Sequence, residues 1–173
     1  MNNRIRIKIK EPTFSQTLEE YKKRVSFKNS QELQYRTGTD FLSSEVIKKL
    51  PQDVQVTCKE INSNYQNSNP ISCFLLLRRV VPMSIIRKFQ HIEEEQKIIN
   101  NDGDFLDTKD LINKVETEKI IYGSHRAIRD LKKHKKLLDS AQHIFATKFT
   151  MEDVESVKND IRVFLEALFD IQE

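Results

Sequence analysis

The residues best placed to bind a charged ligand cluster between 126 and 136, where Arg126, Arg129, Lys132, Lys133, Lys135 and Lys136 surround His134. Arg126, Arg129, Lys133 and Lys136 recur at spacings of three, four and three, which puts them on one helix face, opposite Ile128, Leu131 and Leu138. Such a stripe neutralises phosphates without reading base sequence, so Arg126, Arg129, Lys132, Lys133 and Lys136 are the candidate nucleic-acid contacts. The alternative is a solvated face whose long stems cover apolar surface. No aromatic residue interleaves with the stripe to stack on bases.

Beyond that stripe the pattern offers no catalytic residue, no cofactor and no metal site. Gly38, Gly103 and Gly123 lie far apart, and none heads a phosphate-cradling loop ending in Lys-Ser/Thr. His125, His134 and His143 are spaced nine apart, two and a half helical turns, so successive rings point to opposite sides; His91 completes no ligand set. Asp102-Gly103-Asp104, with Asp107 and Asp110 behind it, has its Gly between two carboxylates and lacks the ligand order of a calcium loop. It reads as a solvated turn that caps the next helix. Cys58 and Cys73 form no disulfide framework and no metal spacing, which fits a reducing compartment.

Lys22-Lys23-Arg24-Val25-Ser26-Phe27 resembles the basic-Val-x-Phe docking peptide used by regulatory subunits of protein phosphatase 1. The resemblance implies that Val25 and Phe27 fill two apolar pockets while the extended backbone pairs with a sheet edge and the basic residues meet acidic surface. A phosphate on Ser26 would oppose such a groove. Val25 also continues a helical apolar stripe from Phe14, Leu18 and Tyr21, the reading in which its side chain is core.

Composition narrows the fold. A chain of 173 residues can bury a core without staples, and 38% hydrophobic with 32% charged residues, three Gly and four Pro favour helices over turn-dense β architecture. The net charge of +3 is a small excess of 29 basic over 26 acidic residues, so only local clustering argues for nucleic acid. The start has no signal-peptide block, and the run from Ile71 to Ile86 is cut by Arg78, Arg79 and Pro82 and is too short for a membrane span. The reading is an intracellular protein, nuclear or cytoplasmic.

The elements that position these residues follow from periodicity. Ile5, Ile7 and Ile9 alternate with Arg4, Arg6, Lys8 and Lys10 as in a half-buried strand. Its mate is either the weak pattern Val54-Gln55-Val56-Thr57 or the sheet of a partner protein. A helix is predicted over 13–24, and another through Val46, Ile47 and Leu50, capped by Ser43 or Ser44 and stopped by Pro51. Residues 62–69 read as a polar loop, with Asn69 as cap and Pro70 as first residue of a helix to Val81. Pro82 is expected to break or kink the chain before a second helix over 83–99. Asp107 or Thr108 starts a helix to Gly123, Ser124 one through Phe145, and Thr150-Met151-Glu152-Asp153 opens the last with a capping-box signal.

The sum is an all-α or mainly α fold: a basic strand-like arm at 1–12, then a single helical domain at 13–173 built as a bundle of five to six helices. The central segment is apolar nearly all round, so Leu75, Leu76, Leu77, Val80 and Val81 are core or partner interface, and Ile5, Ile7 and Ile9 are the arm's contacts. The expected role is a non-catalytic helical subunit or adaptor of a larger assembly, joined to other protein subunits as a hetero-oligomer. The alternatives are a nucleic-acid accessory subunit using the stripe, and a phosphatase regulator using Val25 and Phe27.

Overall fold

The structure, a computed structural model, describes residues 40–121, 125–140 and 148–171. Contacts divide the chain into Met1–Gly38 and Thr39–Glu173, and everything described belongs to the second unit. The strand arm with Ile5, Ile7 and Ile9, the helix over 13–24, Val25 and Phe27 all lie outside the described residues, as do Gly123, Ser124 and His143.

Six α-helices are described: α1 Ser44–Lys48, α2 Gln52–Gln66, α3 Pro70–His91, α4 Thr108–Thr117, α5 His125–Ser140 and α6 Met151–Leu168, with a 3-10 turn at Glu95–Ile98. The mainly α expectation holds for this part of the chain. α3 is the hub, packing against α2, α4, α5, α6 and the 3-10 turn, while α4 packs on α5 and α5 on α6. Its inner face, Cys73, Phe74, Leu77, Val80, Val81, Ser84, Ile85 and Phe89, is entirely buried.

Local chemistry sets the helix starts. Ser43, Asn69, Asp107 and Thr150 each accept a backbone N–H from the first turn of the helix that follows, and Thr150 and Asp153 complete a reciprocal capping box. At the other end of α1, the Gln55 amide donates to the Leu50 carbonyl at 2.8 Å and the Lys48 carbonyl at 3.3 Å. The first turns of α2 thereby satisfy orphan acceptors left by α1.

Four sequence expectations are corrected. Residues 54–57 are helical, because Val54, Cys58, Ile61 and Tyr65 bury one stripe at spacings of four, three and four; β-branched composition yields to that burial. The loop expected at 62–69 is reduced to 67–69: the Asn64 and Asn67 amides donate to carbonyls four residues back, and Asn62 faces inward to hold both backbone groups of Leu42, at 2.9 and 2.8 Å. Pro82 does not end a helix. Proline forfeits about 3 kcal/mol in a helix interior, but each large side chain buried beside it returns about 1.5–3 kcal/mol, and Val80, Val81 and Ile85 are all fully buried. Finally, the helices expected to reach Ile99 and Gly123 stop at His91 and Thr117.

Those early stops have one cause. The positive-φ non-Gly residues described are Ser68, Glu93, Lys119 and Asp170, and each sits just past a helix. The following N–H reaches back five residues in every case, Asn69 to Asn64, Glu94 to Phe89, Ile120 to Val115 and Ile171 to Glu166, the bond of a Schellman stop. A side chain in this left-handed region costs about 1–2 kcal/mol, while Gly loses about 0.5–1 kcal/mol more chain entropy on folding. Lys119→Gly should therefore raise stability by about 0.5 kcal/mol, and Lys119→Val should lower it, in urea unfolding followed by circular dichroism.

Candidate functional site

α3 spans about 33 Å at 1.5 Å per residue, and its outer face differs in kind from its inner one. At 100° per residue, Ile71, Leu75, Pro82 and Ile86 fall within an arc of about 60°, with Arg78 at one edge and Arg79 at the other; the fully buried Phe89 falls on the same arc, so the exposed part of the arc is confined to the N-terminal turns. Ile71 and Leu75, one turn apart, are 39% and 41% exposed; the other large exposed apolar side chains described are Val56 on α2, at 52%, and Phe105, at 42%. Pro82 and Ile86 are half-buried, so the stripe is shallow.

Charge on α3 is one-signed. Pro70–His91 contains Arg78, Arg79, Arg87 and Lys88 and no acidic residue. Arg87 is held by Asp53 at 2.7 Å and the buried Lys88 by Asp170 at 2.9 Å. Arg78 and Arg79, beside the apolar stripe, pair with no described carboxylate.

The central residues chosen from sequence therefore separate. Leu77, Val80 and Val81 are completely buried and have no surface for a partner; Leu76 is half-buried against the core; Leu75 alone of that set is exposed. Ile71 belongs with it. A helical wheel would have made the split, whereas density of apolar residues alone did not.

The basic stripe forms, but with an anion at its centre. Asp130 is 12% exposed at its side chain and receives Lys133 at 2.5 Å, Arg126 at 3.4 Å and Arg129 at 3.7 Å. The hydrogen bond from Lys133, with the charges of Lys133 and Arg129, holds its carboxyl below the usual carboxylate range. Lys132 is drawn to Glu116 of α4 at 2.5 Å, and Lys135 bonds Asp139. Arg126, Arg129 and Lys133 still present side chains 85%, 68% and 63% exposed, and Lys136 is exposed as well.

Other candidates resolve into structure. His134 meets Asp160 at 2.7 Å, fastening α5 to α6; His91 and His125 are exposed. Asn100 bonds the N–H groups of Asp102 and Asp104, both at 2.9 Å, closing the acidic turn around Gly103 at φ +88°, and Asp107 caps α4. Cys58 and Cys73 are free and buried, and burial pushes the Cys58 thiol up to about 12. Among the described residues no group of three His, Cys, Asp or Glu side chains could hold a metal.

One polar lock had no local signal: the buried Tyr65 hydroxyl donates to Glu155, and Lys158 both donates to it at 3.1 Å and lies 4.5 Å from the ring centre. These partners are ninety residues away in the chain. They tie α2 to α6.

No protein-family model, curated protein sequence or solved structure matches this chain. No helix among the described residues is long and apolar enough to cross a membrane.

The Asp130 centre has a pH signature. Its folded carboxyl titrates below its unfolded one, so its stabilisation is complete above the ordinary carboxylate range, begins to fall within that range and is lost as pH falls through the lowered folded value. Asp130→Asn should lower the thermal midpoint at neutral pH, and the gap from the parent protein should narrow as the scan is moved toward pH 3.

Proposed function

We propose that the protein is a non-catalytic helical adaptor that engages another protein subunit along the outer face of α3, through Ile71 and Leu75. The observation that supports this is the pairing of two exposed aliphatic side chains, one turn apart, on the helix against which most other described elements pack. A partner helix laid along a groove reads anchors at this spacing. The arm residues Ile5, Ile7 and Ile9 join the proposal as a second contact by strand addition, on the strength of their alternation in sequence. The non-catalytic reading rests on a sequence that holds neither a phosphate loop nor a metal spacing.

Affinity capture of the tagged full-length chain from its own cells, with nuclease and high salt in parallel, tests this. The expected result is a stoichiometric protein set that survives both treatments and is lost with Ile71→Ser/Leu75→Ser, while the double variant unfolds like the parent. Leu77→Ser, in the core, should instead cost about 3 kcal/mol or more. Capture unchanged by the double variant would overturn the proposal.

A second reading, nucleic-acid contact through Arg126, Arg129 and Lys136, is favoured by the high exposure of the two guanidinium groups despite their anchoring by Asp130. Phosphate contacts release counterions, so Arg129→Glu should flatten the salt dependence of duplex binding. A slope unaffected by that change would remove this reading.

A further inference from the structure

We propose that the segment docking on the outer face of α3 is an acidic amphipathic helix, whose apolar side covers Ile71 and Leu75 and whose carboxylates reach Arg78 and Arg79. This rests on the docking reading above and adds the chemistry of the occupant.

Two observations carry it. The first is the one-signed charge of α3, whose four Arg and Lys residues the described fold pairs unequally. Arg87 and Lys88 each have a carboxylate from another part of the fold, at 2.7 and 2.9 Å, whereas Arg78 and Arg79 have none among the described residues. The second is position. Arg78 and Arg79 lie three and four residues beyond Leu75, on opposite edges of the apolar stripe. A helix covering Leu75 must pass between them and bring its own side chains within reach of both. A basic or neutral segment would leave two guanidinium groups at the rim of a drying contact without counter-charge, and a carboxylate there forms bidentate pairs.

A protein helix fits better than a bilayer. Interfacial helices bury an apolar face several ångströms deep in lipid, and here Pro82 and Ile86 are half-covered while the opposite face of α3 is committed to the core. With two exposed and two half-buried apolar side chains, the stripe is too shallow to enter a membrane.

The test uses the full-length protein and three synthetic eighteen-residue helical peptides that share one Leu/Ile stripe and carry Glu, Gln or Lys on both flanks, with fluorescence anisotropy as the readout. The expected result is binding of the Glu peptide, about tenfold weaker binding of the Gln peptide, and none of the Lys peptide. Arg78→Glu/Arg79→Glu should reverse the order, and Leu75→Ser should weaken all binding without changing the fold by circular dichroism. Equal affinity for the Glu and Gln peptides, with Leu75→Ser still disruptive, would overturn the acidic chemistry and leave the docking face standing. Binding indifferent to Leu75→Ser would overturn both. Sedimentation showing a dimer dispersed by Leu75→Ser would overturn the proposal in favour of a second copy of this chain, and Leu75-dependent binding to phosphatidylserine vesicles would overturn it in favour of lipid.

Discussion

Everything described in this fold depends on α3 remaining one unbroken rod through Pro82. A break there would separate Phe74 and Leu77 from Ile85 and Phe89, and these residues together form the surface on which α2, α4, α5 and α6 close. The missing backbone hydrogen bond is outweighed by side chains buried on both sides of the proline, so tertiary packing decides a conformation that the local residue opposes. On its outer side Ile86 still packs against the core, while Ile71 and Leu75 stay exposed among the described residues.

The remaining helices are held to this rod by a few long-range polar contacts as well as by packing. Asn62 fixes the entering strand of chain at Leu42, Tyr65 joins Glu155 and Lys158, Lys88 meets Asp170, and His134 meets Asp160. The Lys88 contact shows how an ending can become a joint. Asp170 adopts the left-handed conformation that stops α6, and its carboxylate then reaches a lysine buried in α3, near the negative end of the α6 dipole.

Helix starts were legible in sequence because they are chemical: Ser43, Asn69, Asp107 and Thr150 are the small polar residues whose side chains accept from the first turn. Stops were not, because Ser68, Glu93, Lys119 and Asp170 take the place that glycine usually marks. Asn62 and its polar neighbours looked like loop by composition, and only their bonds to Leu42 and to α2 carbonyls show them as helix. The basic stripe of α5 is legible from the spacing of its cations, which alone does not show that Asp130, four residues after Arg126 and three before Lys133, gathers them. The exposed pair Ile71 and Leu75 lies within the apolar central segment, and period 3.6 separates them from Leu77, Val80 and Val81.

The inner face of α3 holds the fold, and the outer face, bordered by Arg78 and Arg79, is the one proposed to meet a partner. The most direct measurement places a photo-crosslinking amino acid at position 75 of the full-length chain in its own cells, and, as a control, at the exposed Lys109 of α4. The account predicts a discrete covalent adduct with one protein from position 75 and none of that mass from position 109. The same adducts from both positions, or none from position 75, would contradict it.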